Sequence, residues 1–412
     1  MPCERARGSA KPIINTMRTI PVALAVLCLH AQTPLTPDLD ALTQIRARML
    51  FNLKHQPNYT CIETIERFSR AKLTNKLKIV DTLRLEVALV EGREMFAWPG
   101  SKKFDETELS QMVTSGAIGN GNFGTHAQAI FGTRAATFHY LGEENFQGRK
   151  SIRFDYIVPQ MNSGYRIRVS TASAIVGYHG SFYADPLTHD MERIDVLADD
   201  IPPQLLLASA EQKIDYAIAR IGEGDFLLPA QSELSMIGVN GGEEQNHVKF
   251  TACRQFSGES VVTFEDPPAG KPDAATIPTH EFDLPEGLDV ELVLAKDVDL
   301  QTAAIGDPLY ARVNHDIKHK GQLVVPKGAT ANGRVVRLEK YDTYSILGIE
   351  FYEIEAPGIR ARMKGSLGAT VGPVGPRRTM GPRTPRLPGE GIIPMNATQR
   401  HLAKGCIMFW RT

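Results

Sequence analysis

From residue 57 to about residue 265, one short strand-like run follows another with little more than a turn between them. Leu83, Leu85, Val87 and Leu89 alternate with Arg84, Glu86 and Ala88, the period-two pattern of a strand with one apolar and one wet face. Glu91-Gly92 turns this run back into GREMFAW, and Pro99-Gly100 ends the pair. NYTCIETIERF, ATFHYLGEE, SIRFDYIV, GYRIRVS, AIVGYHGSFYAD, DMERIDVL, KIDYAIARI, FLLPAQSELSMI, HVKFTACRQF and SVVTFED have the same character. Parallel strands need long crossovers, usually helical, so strand upon strand without helices predicts a mainly β fold and a large antiparallel meander.

Few segments depart from this pattern. Thr36 and Pro37 open a helix in which Leu39, Leu42, Ile45, Met49 and Leu53 recur at spacings of three and four, and Pro57 stops it. Residues 105–134 interrupt the strands with DETELSQMVTSG, the glycine-rich GAIGNGNFG and THAQAIFGT, read as two short helices around a loop that could cover an open sheet face. Residues 266–283, rich in Pro, Ala and Asp, read as a linker between a domain over 32–265 and a second, smaller β domain over 284–412. Within the latter, 372–400 reads as a flexible basic loop, with Arg377, Arg378, Arg383 and Arg386 against Glu390, and GCIMFWRT as a closing strand.

The N-terminus reads as a leader. Ile20–Leu29 is an uncharged apolar run preceded by Arg18, about half the ~20 residues that a spanning helix needs. It resembles a signal-peptide core over 1–31, with cleavage after Ala31 and Met17 as an alternative start. Lipidation at Cys28 is disfavoured by Leu27 before it. Export to the periplasm or beyond permits disulfides. Cys61 and Cys253 lie in strand-like runs near the two ends of the first domain and are the candidate pair, with two buried thiols as the alternative. Cys406 is left over as a free or intermolecular thiol.

Two resemblances have residues behind them. The helix, the meander and the helical insertion, together with the Asp185-Pro186-x-Thr188 turn in GSFYADPLTHDMERIDV, resemble periplasmic lipoprotein carriers and related lipid-binding envelope proteins. That resemblance implies an incomplete antiparallel barrel. LPEGLDVELVLAKDVDLQTAAIGDPLYARV followed by GQLVVPKGATANGRV, with Pro285-x-Gly287, Gly306-Asp307 and Val325-Pro326-Lys327-Gly328-Ala329 leading to Gly333, resembles the β-barrel domain of the outer-membrane core protein of type IV secretion systems. The motif is structural and implies no catalytic residue.

Little in the sequence points to chemistry. His179, Asp185, His189 and Asp190 lie close in sequence but straddle a turn. Asp199-Asp200 supplies two of the six or more oxygens that calcium takes. His315 and His319 sit four apart in a hairpin-like stretch without the glutamate of a zinc-protease motif. GNGNFG lacks the Lys-Ser/Thr of a phosphate loop, and no G-x-S-x-G elbow occurs. No cofactor or metal is called for. The 46 Lys+Arg against 47 Asp+Glu, for a net charge of −1, lack the basic excess that phosphate binding exploits and argue against nucleic acid.

The reading is an exported, non-catalytic binding protein, not membrane-spanning, that holds a lipid, lipoprotein or polypeptide on a concave sheet. Leu83, Leu85, Val87 and Leu89 would line that face, or else pack against the 39–53 helix. The alternatives are a structural envelope component whose basic loop meets envelope proteins or an anionic surface, and an extracellular hydrolase, whose paired carboxylates leave no local signature.

Overall fold

The computed structural model describes residues 36–72, 76–91, 93–101, 104, 125–169, 172–256, 279–341, 343–371, 386–396 and 398–412. The expected leader, the first helix and glycine-rich loop of the insertion, most of the linker and residues 372–385 of the basic loop lie outside them. Helix α1 (Pro37–His55) starts and stops as the prolines dictate, with Thr36 at its N-cap and Gln56 already extended. Ile45 and Met49 are buried, and Leu39 is exposed. No helix among the described residues is long and apolar enough to cross a membrane.

The first unit comprises β1 (Tyr59–Arg70), β2 (Lys78–Val90), β3 (Arg93–Ala97), α2 (Thr125–Phe131), β4 (Thr137–Phe146), β5 (Arg149–Val158), β6 (Arg166–Val169), β7 (Ala172–Ile175), β8 (Gly177–Ala184), β9 (Met191–Asp199), β10 (Leu207–Ile221), β11 (Gly224–Gly238) and β12 (Glu243–Gln255). Ten of these strands form one sheet in the order β3-β2-β1-β12-β11-β10-β9-β8-β5-β4, and β6 and β7 form a separate hairpin. The run from β8 to β12 is the expected meander. β1 closes it from the far side by pairing antiparallel with β12, the last strand of the unit. Strands β3 and β4 are opposite edges, so the chain between Trp98 and Ala136 must pass from one edge to the other. Helix α2 is the described part of that passage.

The β1–β12 ladder is also where the expected disulfide forms, between Cys61 and Cys253. The register steps from Thr60↔Arg254 to Ile62↔Thr251, so Cys61 faces two residues across a β-bulge, and Ala252 takes φ +49° to make it. A second local requirement sits between β8 and β9. The Tyr156 hydroxyl donates to the Asp195 carbonyl at 2.8 Å, and a Cβ on Gly180 would stand 1.8 Å from that same oxygen.

The second unit comprises β13 (His280–Asp283), β14 (Asp289–Leu294), β15 (Val298–Asp299), β16 (Pro308–Val313), β17 (Ile317–His319), β18 (Gln322–Val325), β19 (Thr330–Lys340), β20 (Tyr344–Ala356), β21 (Ile359–Arg362), β22 (Ser366–Val371), β23 (Gly391–Asn396), β24 (His401–Leu402) and β25 (Ile407–Arg411). Its main sheet runs β13-β21-β20-β19-β16-β14-β25-β22, with β23 beside β20. Trp410 of β25 meets Phe351 of β20 edge to face at 5.7 Å, although three strands separate them in that order, so the sheet is strongly curled. The expected closing strand is β25, hydrogen-bonded on both sides by β14 and β22. Cys406 is a free, buried thiol.

Two segments read as irregular are partly strand. His280–Asp283, assigned to the 266–283 linker, pairs parallel with β21. Residues 391–396, assigned to the 372–400 loop, form β23 on β20, and Glu390 is buried against Arg337 (Nε–Oε1 2.6 Å). Prolines hid both strands. Pro394 sits in β23 itself, a place edge strands tolerate.

The two units are joined. β3 pairs only with Glu86–Val90 of the longer β2, which leaves the first half of β2 as an open edge. Ile305 fills part of it, bridging Leu83 in parallel with Arg84 N–H to Ile305 O at 2.8 Å and Ile305 N–H to Thr82 O at 2.7 Å. Arg84 pairs with Asp307 at 2.5 Å, and the Arg334 guanidinium lies 5.3 Å over the Trp98 ring. An open edge invites pairing with other chains, and here the second unit covers part of it.

Candidate ligand-binding face

Strand alternation divides the ten-stranded sheet into two faces. The outer one is charged, with ion pairs such as Arg193–Asp215 and Arg254–Glu86. The inner one carries two apolar clusters. Ile45 and Met49 of α1 and Ala127, Ile130 and Phe131 of α2 pack on β5, β8 and β9 in the first. Cys61, Ile65, Leu83, Leu85, Val87, Val248 and Phe250 make the second, with Leu89 and Ile305 at its margin. The four candidate lining residues of β2 therefore face inward together. They do not pack against the 39–53 helix, which sits on the opposite half of the sheet; the pattern gave their face but not which strands the helix would choose. The helical insertion does cover the inner face through α2, and Arg46 of α1 fastens it by donating to the Phe131 and Thr133 carbonyls, each at 2.9 Å.

Polar side chains are set among these clusters. Glu63 is inward on β1, Gln212 on β10 and Ser232 on β11, exposed by 2%, 1% and 2%. Ser232 pairs with Ile214 and Gln212 with Leu234 across the β10–β11 ladder, which makes Gln212 and Ser232 diagonal neighbours. His126 of α2 meets the Gln212 Oε1 at 3.0 Å, and Tyr165 and Tyr178 stand edge-on to its ring at 5.0 and 6.2 Å. Tyr216 of β10 interacts electrostatically with both Tyr59 on β1 and Tyr156 on β5.

The electrostatics follow from burial. Loss of water, with the Glu94 carboxylate nearby, pushes Glu63 up to about 8, so it carries its proton at neutral pH. Burial lowers His126 to about 4 against the opposing hydrogen bond to Gln212, which leaves it neutral with Nε2–H donating to the amide oxygen. Burial raises the phenols of Tyr216 and Tyr178 too. Arg67 points to the same face and is held by Asp81 (Nε–Oδ1 2.7 Å). Six buried inner-face atoms have no hydrogen-bond partner within the protein: Asn52 Nδ2, Glu63 Oε2, Tyr178 Oη, Gln212 Nε2, Tyr216 Oη and Ser232 Oγ. A buried polar group without a partner costs about 1–3 kcal/mol, so each of these atoms calls for a polar partner that the protein's own groups do not supply.

The sequence motifs weighed for chemistry fall elsewhere and apart. His179 donates to Asp199 at 2.8 Å in the β8–β9 ladder, with both residues exposed. Asp185 accepts the Leu187 and Thr188 amides of its turn, His189 takes φ +57°, and Asp190 pairs with Arg48 of α1 at 2.6 Å. His315 pairs with Glu291 at 3.1 Å, and His319 lies in the β17–β18 hairpin. Among the described residues no group of three or more His, Cys, Asp or Glu side chains is placed to hold a metal.

No protein family matches the chain by sequence, and no curated protein matches it. Solved structures do. A putative outer membrane lipoprotein-sorting protein domain from Vibrio parahaemolyticus is 13% identical, covering 54% of this chain and 93% of its own, at a TM-score of 0.31. A DUF1329 family protein from Desulfovibrio piger is 12% identical, covering 56% and 98%, at 0.31. The Mycobacterium tuberculosis lipoprotein LppX is 8% identical, covering 52% and 97%, at 0.20. At such scores, function is read from this chain's own residues.

Proposed function

We propose that this chain is a non-catalytic binding protein of the cell envelope that holds an apolar ligand, a lipid or an acylated protein, on the inner face of its ten-stranded sheet. One observation carries the reading: a buried face with two apolar clusters and unpartnered polar atoms set among them, partly covered by α1 and α2. A purely structural core hydrogen-bonds its buried polar groups or omits them. Binding sites, in contrast, are mostly apolar with a few convergent polar groups. Leu83, Leu85 and Val87 line the β1–β2 half in this reading, and α2 belongs to the cover.

An oxidising compartment is supported by the Cys61–Cys253 disulfide, since cytosolic proteins keep such thiols reduced. The experiment is extraction of the purified protein with organic solvent, followed by mass spectrometry, with binding of a fluorescent fatty-acyl probe to the delipidated protein. Co-purifying lipid and saturable binding are expected. A folded protein that yields no lipid and binds no apolar probe overturns the reading.

A further inference from the structure

The two ends of the ten-stranded sheet differ in charge. At one end the turns at 147–150, 185–190 and 220–225 each carry ionised side chains. At the other, β11, β10, β9, β8 and β5 are neighbours in that order, and the chain entering or leaving them at 157–165, 172–177, 201–210 and 235–242 has no charged residue. Five adjacent strands span roughly 20 Å, so these segments share one tip of the unit. Contacts join them. Val239 N–H donates to the Leu206 carbonyl at 2.9 Å, the single helical turn Pro203–Leu205 packs on β7, and Gln160 Nε2 donates to the Ile175 carbonyl at 2.9 Å.

Met161, Leu206 and Val239 stand on this tip exposed by 89%, 66% and 65%, with Ile175 also in water. Exposed apolar side chains scattered singly are ordinary, but these share linked loops without a charge among them. Leu206 is held at φ +53°, a left-handed conformation that leucine rarely adopts and that asparagine takes more readily. Its exposed side chain gives folding little in return. Around the tip Lys72, Lys78, Arg166 and Arg168 are exposed, against Asp200 and Glu244. A Cβ on Gly241 would stand 3.5 Å from the Lys72 side chain, which puts that lysine beside the turn carrying Val239. Protein interfaces are anchored by aromatic residues, and among the described residues none is exposed on these loops. Apolar side chains within a basic collar suit an anionic lipid surface, where the former enter the headgroup boundary and the latter meet phosphates. We propose that this tip docks the protein on an anionic phospholipid bilayer, with Met161, Leu206 and Val239 as the inserted side chains. Docking of this kind does not depend on what the inner face holds.

The test is flotation of the full chain with vesicles of phosphatidylcholine, alone or with roughly 30% phosphatidylglycerol. The protein should float with the mixed vesicles, and severalfold less with phosphatidylcholine alone or when salt is raised to about 0.5 M. Leu206→Asn suits the left-handed backbone, so its melting temperature should equal or exceed the parent's while vesicle binding falls about threefold. Adding Met161→Ser and Val239→Ser should bring the loss to at least about tenfold. Leu187→Ser, at the charged end and as exposed as Met161, should bind within about twofold of the parent. A parent that stays behind when the mixed vesicles float, a triple variant that floats as the parent does, or a Leu187→Ser loss as large as that of Leu206→Asn overturns the proposal. Sedimentation velocity on the same proteins separates the other occupant: a parent dimer that the triple variant abolishes, without flotation, assigns the tip to a second copy of the chain and overturns the bilayer reading.

Discussion

Gly306 is where the two units test each other most sharply. Its φ is +101°, which side-chain-bearing residues rarely adopt, and a Cβ there would stand 2.3 Å from the Arg84 carbonyl oxygen and 2.6 Å from the Trp98 ring. Gly306→Ala therefore requires the joint to open by about 1 Å to reach ordinary contact distance. Opening breaks the Arg84–Ile305 and Ile305–Thr82 backbone bonds, each worth about 1 kcal/mol net. The Arg84–Asp307 pair, with side chains 30% and 20% exposed, adds no more than about 1 kcal/mol after solvent screening. A local loss of about 2–3 kcal/mol corresponds to amide exchange at Arg84 and Ile305 that is faster by roughly 30- to 150-fold. Native-state hydrogen exchange of the alanine variant should show this at the joint, with the amides of Ile214 and Ser232 in the middle of the sheet unaffected. Unchanged protection at Arg84 and Ile305 would refute the claim that the close approach of Gly306 holds the second unit to β2.

Other consequences can be checked with standard stability measurements. Reducing the Cys61–Cys253 bridge, whose sequence separation is 192, frees a loop whose closure accounts for up to about 5 kcal/mol in the chain-entropy model; urea unfolding with and without reductant should show a loss of several kcal/mol. Glu63, raised from 4.5 to about 8 in the folded state, favours folding below its unfolded value and loses that contribution as pH climbs through about 8. Glu63→Gln should thus gain on the parent by up to about 1.4 kcal/mol per pH unit over that window, and parallel midpoints in urea would contradict it. His126 has the opposite sign: lowered from 6.5 to about 4, it withdraws stability as pH falls from about 6.5 towards 4, and a His126→Asn variant should flatten that acid limb. Glu390→Ala removes one of the two carboxylates that hold the buried Arg337 and leaves it Glu339 at 2.9 Å, for a loss of up to about 3 kcal/mol, whereas Arg337→Met with Glu390→Leu should recover much of it; thermal denaturation of the three proteins decides.

Much of the fold could be read from local patterns, because those patterns are set by neighbours in sequence. The alternation in β2, the prolines around α1 and the turn at Asp185 each act over a few residues, and each holds. The cysteine pair was legible for a different reason, since both residues fell in strands near the two ends of the unit and the expected export would permit the bond. What stayed hidden depends on distant partners. The pairing of β1 with β12 rather than with β2 alone has no local sign, and neither does the choice of β5, β8 and β9 as the bed for α1. β13 and β23 are short and proline-flanked, so their strand character comes from the sheets they join. The inward polar side chains were missed because Glu63, Gln212 and Ser232 are ordinary strand residues without a motif. One trace existed: in NYTCIETIERF the set Tyr59, Cys61, Glu63, Ile65, Arg67 puts a carboxyl group on the same face as the disulfide. Nothing local, however, says that this face is the covered one.

The pairing of the first and last strands of the ten-stranded sheet also governs when the unit can assemble. β1 has a partner on one side as soon as β2 appears, but its other side waits for β12, and the crosslink waits for Cys253. A chain delivered N-terminus first must have passed nearly two-thirds of its length before that seam can shut. Once shut, residues 61–253 form a covalent ring. A single proteolytic cut anywhere inside it leaves two fragments that still migrate as one until a reductant is added.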